Sequence, residues 1–294
     1  MGRLVDYLRI MRPANMVTAV ADILAGIAIS GVLLDNIDTP WLAIVCLCLS
    51  TACLYGGGIV FNDVFDAELD KVERPERAIP SGIISLKNAA ILGGALLISG
   101  ILLASITNLM AGLLAFGVSF FALMYNKIGK HHSFFGPLNM GICRGLNLLL
   151  GLSIVPEMVQ QHYFFAIIPV IYIFSITMTS RGEVHGGNTK NLYLAAILYA
   201  LVICAITIFA FLNNHLLWSL LFLLPFAWMI FNPLVKAIKT PIGKNIGAAV
   251  KAGVISLILM DAAWAVTFDA LTLAFVIAAL LPLSLWLSKL FAVT

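Results

Sequence analysis

Residues 41–70 read WLAIVCLCLSTACLYGGGIVFNDVFDAELD. From Trp41 to Asn62 no residue carries a charge, and about twenty such residues are what an α-helix needs to cross the hydrocarbon core of a bilayer. The run then ends in Asp63, Asp66, Glu68 and Asp70. A membrane helix that delivers a row of carboxylates to one bilayer surface is the feature from which the rest of the chain is best read.

The surrounding sequence belongs with it. Of 294 residues, 62% are hydrophobic and only 11% charged, with a mean hydropathy of +1.05, whereas soluble domains carry about a quarter of their residues charged. Apolar runs near 14–34, 41–62, 88–107, 109–126, 137–156, 163–180, 191–212, 216–232, 246–267 and 270–290 predict an all-α, polytopic bundle of nine to ten transmembrane helices. The divisions at Thr107-Asn108 and Phe268-Asp269 are the weakest. The first run is long enough to stay as a span rather than serve as a cleaved leader. Residues 1–294 read as a single transmembrane domain with no soluble domain attached.

Threading ten spans with the N-terminus inside puts the Lys and Arg side chains on one face, apart from Arg144 and Lys251 within spans. The opposite loops hold only Asp35, Asp38, Glu157 and Asp269. Lys and Arg accumulate on the cytoplasmic side, so the N-terminus and the acidic motif are expected there, in a cell inner membrane. The net charge of +3 follows from this arrangement and does not suggest nucleic acid. The five cysteines lie in apolar runs without zinc spacing, as small buried hydrophobes do.

If the helix runs on through Asp70, a rotation of about 100° per residue puts Asn62, Asp63, Asp66 and Asp70 on one arc and Glu68 elsewhere. Like charges on one helix face repel unless a cation binds them. Mg²⁺, which prefers oxygen ligands and shares them with substrate phosphates, meets that need. Lys71, Arg74 and Arg77 follow at once; a bare metal site has no use for them, but a metal-bridged diphosphate does. Gly56 to Gly58 reads equally as close helix packing or as room for substrate.

These residues resemble the UbiA superfamily of intramembrane prenyltransferases. The likeness rests on Asn62-Asp63-x-x-Asp66-x-x-x-Asp70 and the following Arg74-Pro75-x-Arg77-x-Ile79-Pro80-Ser81-Gly82, with Arg12-Pro13-x-Asn15 and Tyr125-Asn126-Lys127 in support. It implies a helical bundle around a central cavity in which two Asp-rich motifs grip a polyprenyl diphosphate through Mg²⁺. The prenyl group then passes to a small aromatic acceptor, with membrane lipid around the protein. Carried over, it makes Asp63, Asp66 and Lys127 catalytic and Asp63, Asp66, Asp70 and Glu183 the metal ligands. Asn62, Arg74, Arg77, Lys130, Arg144 and Arg181 would contact the diphosphate.

The second motif departs from the family pattern. Where two Asp three residues apart are usual, the chain reads Ser180-Arg181-Gly182-Glu183-Val184-His185-Gly186-Gly187-Asn188, similar to the divergent UbiA-like EboC proteins. Glu183 stands for the first acid and Gly187 occupies the place of the second. The alternative is therefore a prenyl-diphosphate carrier that keeps the pocket without transfer. Within the spans, Asp22, Asn139, Arg144, Asn147, Lys251 and Asp261 predict a polar interior. Arg144 has two readings there: a diphosphate ligand, or an interhelical ion pair with Asp22 or Asp261. His131-His132 reads as a basic loop that meets anionic lipid.

Overall fold

The computed structural model describes residues 2–34, 39–181, 186, 187 and 189–291, without the side chains of residues 2–4 and 131. The described residues form α1 (Gly2–Met11), α2 (Pro13–Ile29), α3 (Trp41–Phe65), α4 (Ala67–Glu73), α5 (Leu86–Thr107), α6 (Leu109–Lys127), α7 (Phe135–Leu152), α8 (Pro156–His162), α9 (Ile167–Ser180), α10 (Thr189–Leu212), α11 (Leu216–Lys239), α12 (Gly243–Thr267) and α13 (Leu271–Leu290). The fold is all-α, and each of the ten expected runs contains a helix.

Seven of these helices pass the length and apolarity required of a span; the stretch from α8 through α9, Pro156–Ser180, makes an eighth, and α1 with α2 a ninth as a bent pair. Of the ten expected runs, the one left without a qualifying span is that of α7, whose Asn139, Arg144 and Asn147 are buried inside the bundle. Both doubtful divisions are real. Asn108 is extended, its Oδ1 accepts from the Ala111 N–H at 2.8 Å, and its Nδ2 donates to the Ser153 carbonyl at 2.7 Å. That caps α6 and ties the turn to the α7 end. At the other division Asp269 has φ of 63°, a left-handed residue that stops α12.

The helices α2, α3, α5, α6, α7, α9, α10, α11, α12 and α13 pack in a closed circuit, each on the next and α13 back on α2. Across its interior α2 also meets α7 and α12, and α9 meets α12. Small residues permit the closest crossings, as in membrane bundles generally. A Cβ on Gly151 would stand 2.2 Å from the Ile23 carbonyl oxygen, and one on Gly26 would stand 2.3 Å from that of Leu148. The backbones of α2 and α7 therefore touch, which brings Asp22 beside Arg144. Likewise Gly57 of the glycine triplet faces Gly93 and Leu97 of α5, whereas Gly58 borders an internal cavity. Packing thus accounts for Gly57, and Gly58 opens on the cavity.

Candidate active site

The acidic stretch is not one continuous helix. It breaks at Asp66, between α3 and α4, although the Asp66 N–H still reaches the Asn62 carbonyl (3.0 Å) and the Asp70 N–H that of Asp66 (2.8 Å). The joint separates the roles of the acids. Asp63 and Asp70 are buried and share Arg77, whose Nη1 lies 3.4 Å from Asp63 Oδ1 and 2.7 Å from Asp70 Oδ2. Asp66 instead pairs with Lys130, which comes from the turn after α6.

Arg77 is held by its loop. Gly82, with φ of 78°, reverses the chain, and Ile84 donates its N–H to the Ala78 carbonyl at 2.9 Å. Ala78, Ile79 and Ile84 then pack on Ile10, Val60 and Ala89, a small apolar cluster that includes Tyr7 and Met11 of α1. The Ile-Pro-Ser-Gly turn thereby presents Arg77 to the acids.

A third cation comes from near the N-terminus. Arg12 forms the elbow between α1 and α2, a bend of 51°, with φ of 49° and Pro13 opening the next helix. A left-handed non-glycine residue costs roughly 1–3 kcal/mol and persists where its surroundings fix it. Here the guanidinium stands 3.5 Å from Asp63 Oδ1. Arg74 lies close enough to act electrostatically on both Asp63 and Arg12. The cluster joins Asp63, Asp66 and Asp70 to Arg12, Arg74, Arg77 and Lys130. Burial lowers the Lys130 ammonium below the usual lysine range.

Beside this cluster is a cavity of about 310 Å³ between α2, α3, α6, α7, α9 and α12. Arg12, Asn62, Tyr125, Asn126 and Ser180 line it from one set of helix ends. Thr51, Tyr55, Arg144 and Asn147 continue it inward, with apolar walls such as Val118, Ile173, Ile176 and Val254. Asn62 is fixed by Asn126, which accepts its amide hydrogen at 3.2 Å and donates to the Gly58 carbonyl at 2.8 Å. The aromatic rings on the cavity wall are those of Tyr55 and Tyr125; the phenylalanines pack elsewhere.

Lys127 and Arg181 are placed differently from the expectation, and Arg144 takes one of its two expected readings. Lys127 is exposed at the end of α6 and makes no ion pair among the described residues, because the turn that begins there carries Lys130 inward. Arg181 donates through Nη2 to the Lys130 and His132 carbonyls, so it staples that turn. Arg144 forms the interhelical pair, with Nε 2.5 Å from Asp22 Oδ2, yet it also borders the cavity. His132, which is exposed, accepts the Phe134 and Phe135 N–H groups on Nδ1 at 3.2 and 3.1 Å at the start of α7. Glu183, His185 and Asn188, and with them the second motif, lie outside the described residues.

The fit to Mg²⁺ follows from donor chemistry. Among the described residues no three His, Cys, Asp or Glu side chains are grouped so as to hold a metal by themselves. Mg²⁺ asks less, since one or two carboxylates with substrate phosphates suffice. Asp63 and Asp66, on successive turns beside the cavity, provide hard oxygen donors of that kind.

Fold and site together define a multi-pass integral membrane protein whose internal cavity abuts a cluster of interleaved acids and bases. The chain belongs to the UbiA prenyltransferase family, whose model matches residues 23–240. It is 41% identical over 144 residues to the digeranylgeranylglyceryl phosphate synthase of Methanothrix thermoacetophila, covering 49% of this chain and 52% of that one. It is 30% identical over 174 residues to the synthase of Saccharolobus solfataricus, with 59% of each covered. The chain thus spans between half and three fifths of the length of these relatives. Its fold resembles a UbiA homologue from Aeropyrum pernix (TM-score 0.67, 15% identity, 84% of this chain and 96% of that one). It also resembles one from Archaeoglobus fulgidus bound to GPP and Mg²⁺ (TM-score 0.59, 13% identity, 86% and 99%).

Proposed function

We propose that this protein transfers a polyprenyl group from a polyprenyl diphosphate to the hydroxyl of a glycerol phosphate-type lipid, with Mg²⁺, at the cytoplasmic face of the cell inner membrane. The observation that carries the reading is the cluster of four cations interleaved with Asp63, Asp66 and Asp70 at the end of an internal cavity. The name of the relatives above supports a glyceryl phosphate acceptor in place of the small aromatic one expected from the sequence. The one-sided distribution of Lys and Arg supports the orientation.

The chain's own residues have defined tasks. Arg12, Arg77 and Lys130 neutralise charge that grows on the departing diphosphate, fixed in place before the reaction and therefore effective in a water-poor site. Asp63 and Asp66, assisted by Asp70 and, by the family resemblance, Glu183, would hold the metal, and Mg²⁺ when bound would supply further charge stabilisation at the phosphate oxygens. The apolar wall keeps water from the allylic carbon, and the Tyr55 and Tyr125 rings offer π faces to positive charge there.

Protein in lipid nanodiscs should convert geranylgeranyl diphosphate and a prenylglyceryl phosphate to a doubly prenylated product with Mg²⁺, and chelation of the metal should stop it. Binding of the diphosphate without turnover on glyceryl phosphate or aromatic acceptors would replace transfer with the carrier reading. Within that assay the two lysines separate. Lys130→Ala should lower kcat/KM for the diphosphate by about 10–100-fold, the worth of one hydrogen bond to a charged group. Lys127→Ala should stay within about twofold of wild type, since an exposed unpaired charge contributes little.

A further inference from the structure

Deep in the bundle a second polar group remains that the diphosphate chemistry does not use. Arg144 donates from Nη2 to Thr18 Oγ1 at 2.8 Å and pairs through Nε with Asp22. Asn147 donates to the same Asp22 Oδ2 at 2.9 Å and accepts from Thr51 Oγ1 at 2.6 Å. The Arg144 guanidinium also lies 5.8 Å from the Tyr55 ring centroid. Asp261 of α12 is within hydrogen-bonding reach of Asp22. All these side chains except that of Tyr55 are 6% exposed or less, and Arg144, Asn147, Thr51 and Tyr55 border the cavity.

The charges must balance inside the membrane. Two ionised carboxylates against one guanidinium would leave a net negative charge where each charge costs at least ~2.5 kcal/mol. Asp22 Oδ1 and Asp261 Oδ2 are both buried without a hydrogen-bond partner among the described residues. One proton shared between the two carboxyls satisfies both atoms and brings the group to zero net charge. Tyr55 stands two turns before Asp63 on α3, about 12 Å by helical rise. With the diphosphate held at the Asp63 end, this deeper end is left for the nucleophile.

We propose that Arg144, Tyr55, Thr51 and Asn147 form the subsite for the acceptor's hydroxyl, and that Asp22 and Asp261, sharing one proton, are positioning residues that keep it neutral. The subsite takes an uncharged alcohol and disfavours a carboxylate or phosphate at that depth; the acceptor's phosphate lies toward the cationic cluster. This rests on the transfer reading. In the reaction the bond from the allylic carbon to diphosphate breaks with its electron pair, the acceptor oxygen bonds that carbon, and the hydroxyl proton leaves on the released diphosphate.

The test uses the full chain in nanodiscs. Removing Arg144 alone would strand Asp22 and risk misfolding, so the charge-balanced double variant Asp22→Asn/Arg144→Gln is compared with wild type. Geranylgeranyl diphosphate affinity should stay within about twofold, while acceptor affinity, measured directly as well as through KM, should fall at least tenfold. A folded double variant with unchanged acceptor affinity, or with both affinities lowered equally, would overturn the proposal. The infrared carboxylic C=O band of a protonated carboxyl should be present in wild type and lost in Asp261→Asn; its absence from wild type would overturn the shared proton. Wild type that binds both ligands and transfers nothing refutes the transfer reading, whereas the direct acceptor-binding comparison still decides the subsite.

Discussion

Replacing Asp63 and Asp66 together by Ala abolishes diphosphate release from an allylic substrate, an expected loss of at least about 1,000-fold in kcat/KM, the scale of removing preorganised charge from a reacting centre. The two acids act differently, which is why the pair is needed. Asp63 is buried and fixes both Arg12 and Arg77, so its loss also frees the cations that would meet the diphosphate. Asp66, one turn on, anchors Lys130. Each would in addition provide oxygen to the metal, so the double variant removes both of the main carboxylate donors proposed for it. The helices that place these residues are far longer than the altered segment, so a folded variant is expected by gel filtration and thermal melting in detergent. Release of diphosphate at the wild-type rate by such a variant would remove the acidic cluster from the mechanism.

Much of this was legible in the sequence because membrane burial leaves strong marks. Uncharged runs of span length became helices, and the acid spacing led to the cluster. What could not be read was pairing across distance. The Arg144 partner was open between Asp22 and Asp261, and only the contact of Gly26 and Gly151 along α2 and α7 brings Asp22 into reach. Lys127 and Lys130 look alike in sequence, and the turn at Gly129 decides which one points inward. The Arg12-Pro13 pair was visible as a familial mark, but its electrostatic role depends on an elbow with positive φ that no periodicity reveals. The break at Asp66 was likewise hidden, because the i to i−4 hydrogen bonds persist through it. For α7 the polar residues that weaken its hydropathy are the ones that make the interior site.

Arg77→Ala should damage both stability and turnover, and a second substitution should separate the two. Asp70 is 4% exposed, and Arg77 is its one ion-pair partner among the described residues. Deleting the guanidinium strands that carboxylate, a change that costs about 3 kcal/mol or more when an ion pair is buried. Asp63 keeps Arg12 and suffers less. The double variant Arg77→Ala/Asp70→Asn removes the stranded charge, so it should recover most of the lost thermal stability. It should not recover the reaction, because the cation beside the leaving diphosphate is still missing; transfer should stay about 100–1,000-fold below wild type. Arg77→Lys should recover part of the lost stability, since both contacts, 3.4 Å to Asp63 and 2.7 Å to Asp70, come from the single Nη1 and an ammonium keeps the charge. If the double variant regains stability and transfer together, Arg77 is a structural counter-ion and the cluster works through Arg12 and Lys130 alone. Regained stability with transfer still lost, against an Asp70→Asn single variant that keeps transfer, places Arg77 on the diphosphate.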